Sequence, residues 1–450
     1  MNRPQSSFLC VIIKCGCVIN VGAGVSLSFF RGGWARLPGL KWADGNRGIF
    51  LRRIDYLITQ KKTNTDMATI EIRNIGPIKE VEEITLNRVN VFMGPQSSGK
   101  STIAKIISYC TWVEKDVATS QSLKEYDGTT RFKDELESFH KIKGYFRADS
   151  YIRYRSNVVD IVWESETFRI TGWVNDLAYK LSKISYIPSE RNMVILPEAR
   201  RVELGNTNVR SFLFDWFTAC EKCTDLPILN LGVNYHYVEA KEEDHIRGGE
   251  GDSKYDVLLS NASSGLQSLT PLLVMIEYLT KWVYEEKTPS YEQAQRKNAF
   301  LTLYKELPSD LLTELSQQLY ETHNSQFIIE EPEMNLFPET QRDLVYHLLN
   351  KCLERDGNRL TITTHSPYIL YALNNCMMAD LVYDKMDEGS KSLLKCGVSK
   401  VSPSYVSIYE IREGVVKRIQ REDGLIQDNY FDQQMGKLMD DFYLMLNYYS

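Results

Sequence analysis

The chain has 450 residues, enough for two or three domains, and its 43% hydrophobic and 25% charged residues are ordinary for a globular protein. That composition excludes a disordered, collagen-like or polytopic membrane chain, and nine scattered cysteines lack the density of a disulfide scaffold, which points to a reducing, cytoplasmic setting. The net charge of −6 is uneven: residues 1–66 hold ten Lys and Arg against three Asp, so the rest is acidic and ill suited to a sequence-independent nucleic-acid clamp.

The stretch from Phe8 to Phe30 is largely apolar and long enough to be scored as a membrane span. Lys14 near its middle and its several glycines weaken that reading, and no clear small-residue cleavage site follows for a signal peptide. The expectation is that residues 1–66 form an extension outside the folded domain and that the protein has no membrane partner. Met67 opens a strand-like run, Met67-Ala-Thr-Ile-Glu-Ile-Arg73, and the spacing of Ile70, Ile72, Ile75, Val81 and Ile84 predicts short antiparallel strands broken by Gly76-Pro77.

Val89-Asn-Val-Phe-Met93 suits a buried strand, and it runs directly into Gly94-Pro95-Gln96-Ser97-Ser98-Gly99-Lys100-Ser101-Thr102. This is the phosphate-loop pattern G-x-x-x-x-G-K-[ST], and Ile103, Ile106 and Ile107 continue it at helical spacing. The two glycines let backbone N–H groups close on a phosphate, and the helix start presents its positive end to the anion. Lys100 is expected to reach the β- and γ-phosphates of ATP, and the Ser101 hydroxyl to ligate Mg²⁺.

Further along, Tyr145-Phe-Arg-Ala-Asp-Ser-Tyr-Ile-Arg-Tyr-Arg155 mixes Arg147, Arg153 and Arg155 with aromatics, a pattern that can hold nucleic acid or simply line a solvated strand face. Arg200 and Arg201 could extend such a patch. Cys220-Glu-Lys-Cys223 lacks a second ligand pair for zinc. Ser260-Asn-Ala-Ser-Ser-Gly-Leu-Gln-Ser268 places small hydroxyls and a glycine at a helix start, either a second anion-binding tip or an ordinary serine cap. Gln326-Phe-Ile-Ile-Glu-Glu-Pro-Glu333 ends an apolar strand in two carboxylates, costly to bury without a cation. Glu330 suits a Mg²⁺-organising acid and Glu331 a general base that polarises water. Leu360-Thr-Ile-Thr-Thr-His365 ends a β-branched strand in a histidine placed to bond a γ-phosphate or the attacking water. Val406 to Ile411 and Val415 to Ile419 read as a hairpin, and Phe431, Met435, Leu438, Phe442 and Met445 as one face of a last helix.

In this order the phosphate loop, the serine-rich tip, the acid pair and the histidine resemble the ATP-binding-cassette class of P-loop ATPases. They are most similar to the stand-alone branch containing the ATPase domains of overcoming-lysogenization-defect nucleases and the RecF and SMC repair proteins. Ala262-Ser263-Ser264-Gly265-Leu266-Gln267 resembles the signature motif, Glu331-Pro-Glu-Met-Asn-Leu-Phe-Pro338 the acid pair with its D-loop, and Ser185-Tyr-Ile-Pro-Ser-Glu-Arg191 the segment at the Q-loop position. Glu330 stands where the branch usually has aspartate. No glutamine occupies the Q-loop position, which leaves Ser189, Glu190 and Arg191 as alternatives.

The resemblance implies an α/β fold with a mixed sheet and N-terminal antiparallel strands, and an ATPase domain over 67–450. Helical stretches around Phe132 to Ile142 and Val209 to Cys223, interrupted by strands such as Val158 to Trp163 and Thr167 to Thr171, and a second helical excursion, Ser290 to Asn324, read as a mainly helical lobe in two pieces, 112–230 and 285–324. It also implies a homodimer that sandwiches ATP, with Ser263, Ser264, Gly265 and Gln267 acting on the other subunit's nucleotide. The branch's Toprim nuclease domain is not expected, since only 85 residues follow His365 and carry no Asp-x-Asp. The reading of function is an ATPase switch for a separately encoded effector, a nuclease by preference, in defence against foreign DNA. The alternatives are a repair ATPase that binds DNA itself and a transporter ATPase subunit.

Overall fold

The computed structural model describes residues 67–449 apart from 124–125, 127–129, 171–178, 202 and 286–289, together with a short antiparallel pair, β1 (Leu9–Ile12) and β2 (Val18–Val21). The remainder of residues 1–66, and with it most of the candidate span from Phe8 to Phe30, lies outside the described residues. Among the described residues no helix is long and apolar enough to cross a membrane.

Strands β3 (Ala68–Ile75) and β4 (Ile78–Leu86) pair antiparallel around the Gly76-Pro77 turn, as their alternation predicts. In β5 (Val89–Met93) every residue is buried, because both faces of the sheet are covered at this point. Val89, Val91 and Met93 pack into one core, whereas Phe92 packs into the other. The phosphate loop follows, and then helix α1 (Lys100–Ser120), whose Ile103, Ile106, Cys110, Val113 and Val117 recur at three- and four-residue steps and are buried.

After α2 (Arg131–Phe139) come β6 (Phe146–Arg155), β7 (Asp160–Glu164), β8 (Thr167–Ile170) and β9 (Ser182–Ile187). Here the structure corrects the expected helical lobe over 112–230. Strands β6, β7 and β8 extend the main sheet outward from β3, and β9 closes its opposite edge. The reason is period-two burial: Ile152, Tyr154, Ile161, Trp163 and Phe168 all turn into the core shared with α1. Helix α3 (Asn208–Lys222) then packs on a separate four-stranded antiparallel sheet of β10 (Asp225–Pro227), β11 (Val233–Val238), β12 (Glu243–Gly248) and β13 (Tyr255–Leu258). Trp216 of α3 meets Tyr235 of β11 at 6.3 Å between ring centroids.

Helix α4 (Ser264–Thr280) leads to α5 (Tyr291–Leu303) and α6 (Ser309–Tyr320). Helices α5 and α6 bear out helix within the expected segment 285–324, and they lie on α1: Arg296 pairs with Asp116 at 2.7 Å, and the Tyr320 hydroxyl donates to the Thr119 carbonyl at 2.8 Å. The chain continues through β14 (Asn324–Glu330), α7 (Pro338–Cys352), β15 (Arg359–Thr364), α8 (Pro367–Val382) and α9 (Glu388–Leu393). It finishes with the hairpin β16 (Val406–Arg412) and β17 (Val415–Arg418) and with α10 (Tyr430–Leu446).

The main sheet has eleven strands in the order β8-β7-β6-β3-β4-β17-β16-β5-β15-β14-β9. From β16 to β9 neighbouring strands are parallel, so their carboxyl ends share one edge. In an open α/β sheet that edge is where ligands bind.

Candidate nucleotide site

Strand register decides which groups meet. Met93 lies opposite Thr364, Thr363 opposite Glu330, and Ile329 opposite Ile187. The phosphate loop, His365, the acid pair and the segment after β9 therefore leave the sheet side by side, although up to 271 residues separate them in sequence (Gly94 to His365).

The loop itself needs its glycines. Gly94 has φ +149° and its Cα lies so near the Ile411 carbonyl that a Cβ would come within 2.3 Å of that oxygen. Gly99, at φ +108°, caps α1, and a Cβ there would meet Ile78 at 2.9 Å. Between them Ser97 also takes a left-handed conformation, φ +58°. The Lys100 ammonium folds back over this loop, donating to the carbonyls of Gly94 at 2.9 Å and Pro95 at 2.7 Å. Burial pulls its pKa down to about 8, against the opposing pull of Glu331 and Glu333.

Glu330 is the last residue of β14 and is 3% exposed. The Tyr186 hydroxyl donates to its Oε1 at 2.5 Å and the Ser189 N–H to its Oε2 at 3.3 Å. A buried carboxylate held by neutral donors, at the sheet edge from which α1 and its Ser101 start, offers hard oxygen of the kind that fits Mg²⁺.

Glu331 leaves the strand with φ +43°, a conformation that non-glycine residues seldom take, and its N–H is held by the Thr363 carbonyl at 2.9 Å. Its Oε1 lies 3.1 Å from His365 Nε2. A carboxylate only accepts, so Nε2 carries the hydrogen in this contact. The His365 contact, opposed by burial, holds the Glu331 carboxyl below its ordinary range and therefore ionised.

Two residues with no role in the sequence reading complete this centre. Glu333 Oε1 accepts from the Thr364 hydroxyl at 2.8 Å and from the His365 N–H at 2.6 Å, while its Oε2 is buried without a partner. Burial pushes its pKa up. Tyr186 holds Glu330 and stacks edge-on against His140, itself fully buried. The signal for Glu333 was its place two residues past the acid pair; nothing local marks Tyr186, whose partner lies 144 residues away.

Of the three Q-loop alternatives, Arg191 is 0% exposed. Its guanidinium donates to the carbonyls of Ser268 at 3.0 Å, Glu330 at 2.9 Å and Glu331 at 2.9 Å. It is an internal brace between α4 and the end of β14. Ser189 offers its N–H to Glu330, and its hydroxyl donates to the Glu190 carboxylate at 3.1 Å.

The serine-rich tip sits beside this centre. Ser263 caps α4, its hydroxyl accepting from the Leu266 N–H at 3.5 Å, and Ser264 starts the helix. Gln267 turns back on its own loop, donating to the Ser260 and Ala262 carbonyls at 2.8 and 3.0 Å. Gly265 approaches the Asn335 carbonyl so closely that a Cβ would lie 3.1 Å from it. Asn335 also donates to the Ser268 hydroxyl at 2.8 Å, which joins the tip to the loop after the acid pair.

The arginine and aromatic stretch is an outer sheet strand whose cations are engaged within the chain. Arg153 pairs with Asp160 at 2.9 Å, Arg155 with Asp160 at 3.4 Å and Glu83 at 3.7 Å, and Arg147 donates to the Gly76 carbonyl at 3.0 Å. Arg200 pairs with Glu242 at 3.7 Å. Cys220 and Cys223 are buried thiols, and among the described residues no cluster of three or more His, Cys, Asp or Glu could hold a metal.

Residues 69–195 match the family model described as AAA domain. No curated protein matches the chain. Among solved structures, the SMC head domain from Thermotoga maritima is 11% identical, covering 80% of this chain and 100% of that one with a TM-score of 0.36. An SMC head bound to the C-winged helix domain of ScpA is 12% identical, with coverages of 79% and 97% and a TM-score of 0.34. A dimeric bacterial ABC transporter cassette is 13% identical, with coverages of 78% and 97% and a TM-score of 0.27. The AAA match runs from the strands before the phosphate loop through Arg191, so the part of the chain that carries the phosphate loop is similar to an AAA domain.

Proposed function

We propose that the protein hydrolyses ATP in a Mg²⁺-dependent reaction and works as a nucleotide-driven homodimer that switches a separately encoded effector. The observation that carries the hydrolytic part is the Glu331–His365 contact of 3.1 Å beside the phosphate loop. In this reading Lys100 exchanges the Gly94 and Pro95 carbonyls for the β- and γ-phosphate oxygens, and the loop N–H groups cradle the β-phosphate. Ser101 and Glu330 would hold Mg²⁺, whose charge would offset that of the phosphates. Glu331, ionised, orients the attacking water and draws on its proton. His365 fixes that carboxylate through its Nε2–H. Ser263 and Ser264 cap a helix start whose positive end suits the nucleotide of the opposing subunit.

The effector, a nuclease in defence against foreign DNA, rests on the sequence resemblance alone. Direct nucleic-acid binding finds little support in arginines already paired with Asp160, Glu83 and Glu242. The hydrolytic assignment is tested with Glu331→Gln, which keeps the contacts to phosphate and removes the base. ATP binding should persist while turnover falls by on the order of a hundredfold or more. Unchanged turnover in that variant would sink the assignment.

A further inference from the structure

Helix α10 has no buried residue in its 17 positions. Only its start is rooted. Tyr430 and Phe431 pack against the core, the Tyr430 N–H donates to Glu410 at 3.0 Å, and Arg412 donates to Gln433 at 3.0 Å. The Tyr371 hydroxyl of α8 bonds Asp432. From Met435 onward the helix is solvent-exposed throughout.

Its apolar residues follow a strict order. Phe431, Met435, Leu438, Phe442 and Met445 are spaced by four, three, four and three residues. This 3.5-residue period is that of a coiled-coil seam, which keeps facing a partner helix as the two wind in a shallow left-handed supercoil. Met435 is 61% exposed, Leu438 66%, Phe442 50% and Met445 62%. With the flanking Met439, Tyr443 and Leu446, the face amounts to roughly 700 Å² of apolar surface, close to what each side gives a standard interface. A monomer seldom leaves so large a patch uncovered.

Charge narrows the occupant. Asp432, Asp440 and Asp441 stand against Lys437 alone, so the helix is repelled by anionic lipid and by nucleic acid. In a parallel pair of identical helices, Gln434 meets Met439 of the second copy and Asp441 meets Leu446 of the second copy. No like charges face each other, and the seam is its own complement across a two-fold axis. We infer that α10 is a nucleotide-independent dimerisation helix that pairs in parallel with α10 of a second copy of this chain. Because Glu410 lies opposite Met93, the helix is rooted on the strand end that carries the phosphate loop. Resting on the sandwich-dimer reading above, the pair would hold two nucleotide edges at millimolar effective concentration before ATP binds.

Sedimentation velocity of the full chain in EDTA without nucleotide should show a dimer at low micromolar concentration. Leu438→Asp combined with Phe442→Asp should weaken it at least tenfold. Oxidation of Leu438→Cys should give a crosslink between two copies of position 438, identified by peptide mapping, since that position faces itself across the axis. A monomeric wild-type chain, a dimer indifferent to the two aspartates, or no 438–438 crosslink would each overturn the proposal. So would vesicle binding, or capture of a different protein, that is abolished by the same aspartates while the chain remains monomeric. A dimer seen only in Glu331→Gln with ATP would support the nucleotide sandwich and overturn the helix pairing. An apo dimer that dissociates in the aspartate variant, with no ATP-induced dimer in Glu331→Gln, would do the reverse.

Discussion

Lys100 is held by carbonyl dipoles in a site that disfavours its charge, which lowers its pKa from 10.5 to about 8. Below about pH 8 both folded and unfolded chains keep the proton, and the full cost of burying the charge is present. Between about 8 and 10.5 the unfolded chain binds more protons than the folded one, so this group's contribution to stability rises with pH. Phosphate oxygens favour the charged form. ATP binding at pH 9 should therefore take up a proton, seen in titration calorimetry as a binding enthalpy that changes between buffers of different ionisation enthalpy; equal enthalpies would count against it. Tyr186 supports a second expectation at this scale. A glutamate has one more rotatable bond than an aspartate would have at position 330, and the Tyr186 hydroxyl holds its carboxylate in place. Tyr186→Phe should weaken divalent-ion binding about fivefold, the equivalent of about 1 kcal/mol for one hydrogen bond. Electron paramagnetic resonance titration of Mn²⁺ with a non-hydrolysable ATP analogue would measure it, and unaltered affinity would exclude Tyr186 from this role.

Among the elements, β14 and α4 are joined through a side chain that belongs to neither. Arg191 spans the Ser268 carbonyl on α4 and the Glu330 and Glu331 carbonyls at the end of β14. Burial lowers its pKa to about 10, against the pull of the three nearby glutamates. Arg191→Met would leave several buried carbonyls without donors. Loss on the order of 3 kcal/mol is expected, since each hydrogen bond to a charged group contributes roughly 1.5–3 kcal/mol. Urea unfolding checks this, and a midpoint within error of wild type would show that the brace carries little. The structure also shows why the strands β6 to β8 were legible singly yet misplaced together. Their alternation announced strands, but which sheet they join depends on β3 having a free edge on that side.

At the scale of the whole molecule, the proposed dimer makes the signature tip of one copy serve the nucleotide of the other. Ser264→Arg puts bulk and charge at the start of α4, away from the phosphate loop of its own chain in sequence. Alone it should lose turnover; mixed with Lys100→Ala it should regain at most one competent site per heterodimer, read as ATPase activity against mixing ratio. Full activity of Ser264→Arg as a monomer would refute action in trans. The sequence by itself determined that the phosphate-loop pattern, the acid pair and His365 stand at the ends of apolar strands, because each is a short pattern of fixed residue types and the strand before it is a local signal. It also determined the apolar face of α10, because periodicity is a local property. Only the tertiary structure decided that Tyr186 holds Glu330, that Glu333 holds the start of the His365 loop, and that Arg191 is a brace rather than a ligand-facing cation. It decided as well that Arg153 and Arg155 of β6 are paired with Asp160 and Glu83. Each of those outcomes depends on which strand lies beside which, and parallel pairing between distant segments is set by packing of the two cores on either side of the sheet, which no local pattern encodes.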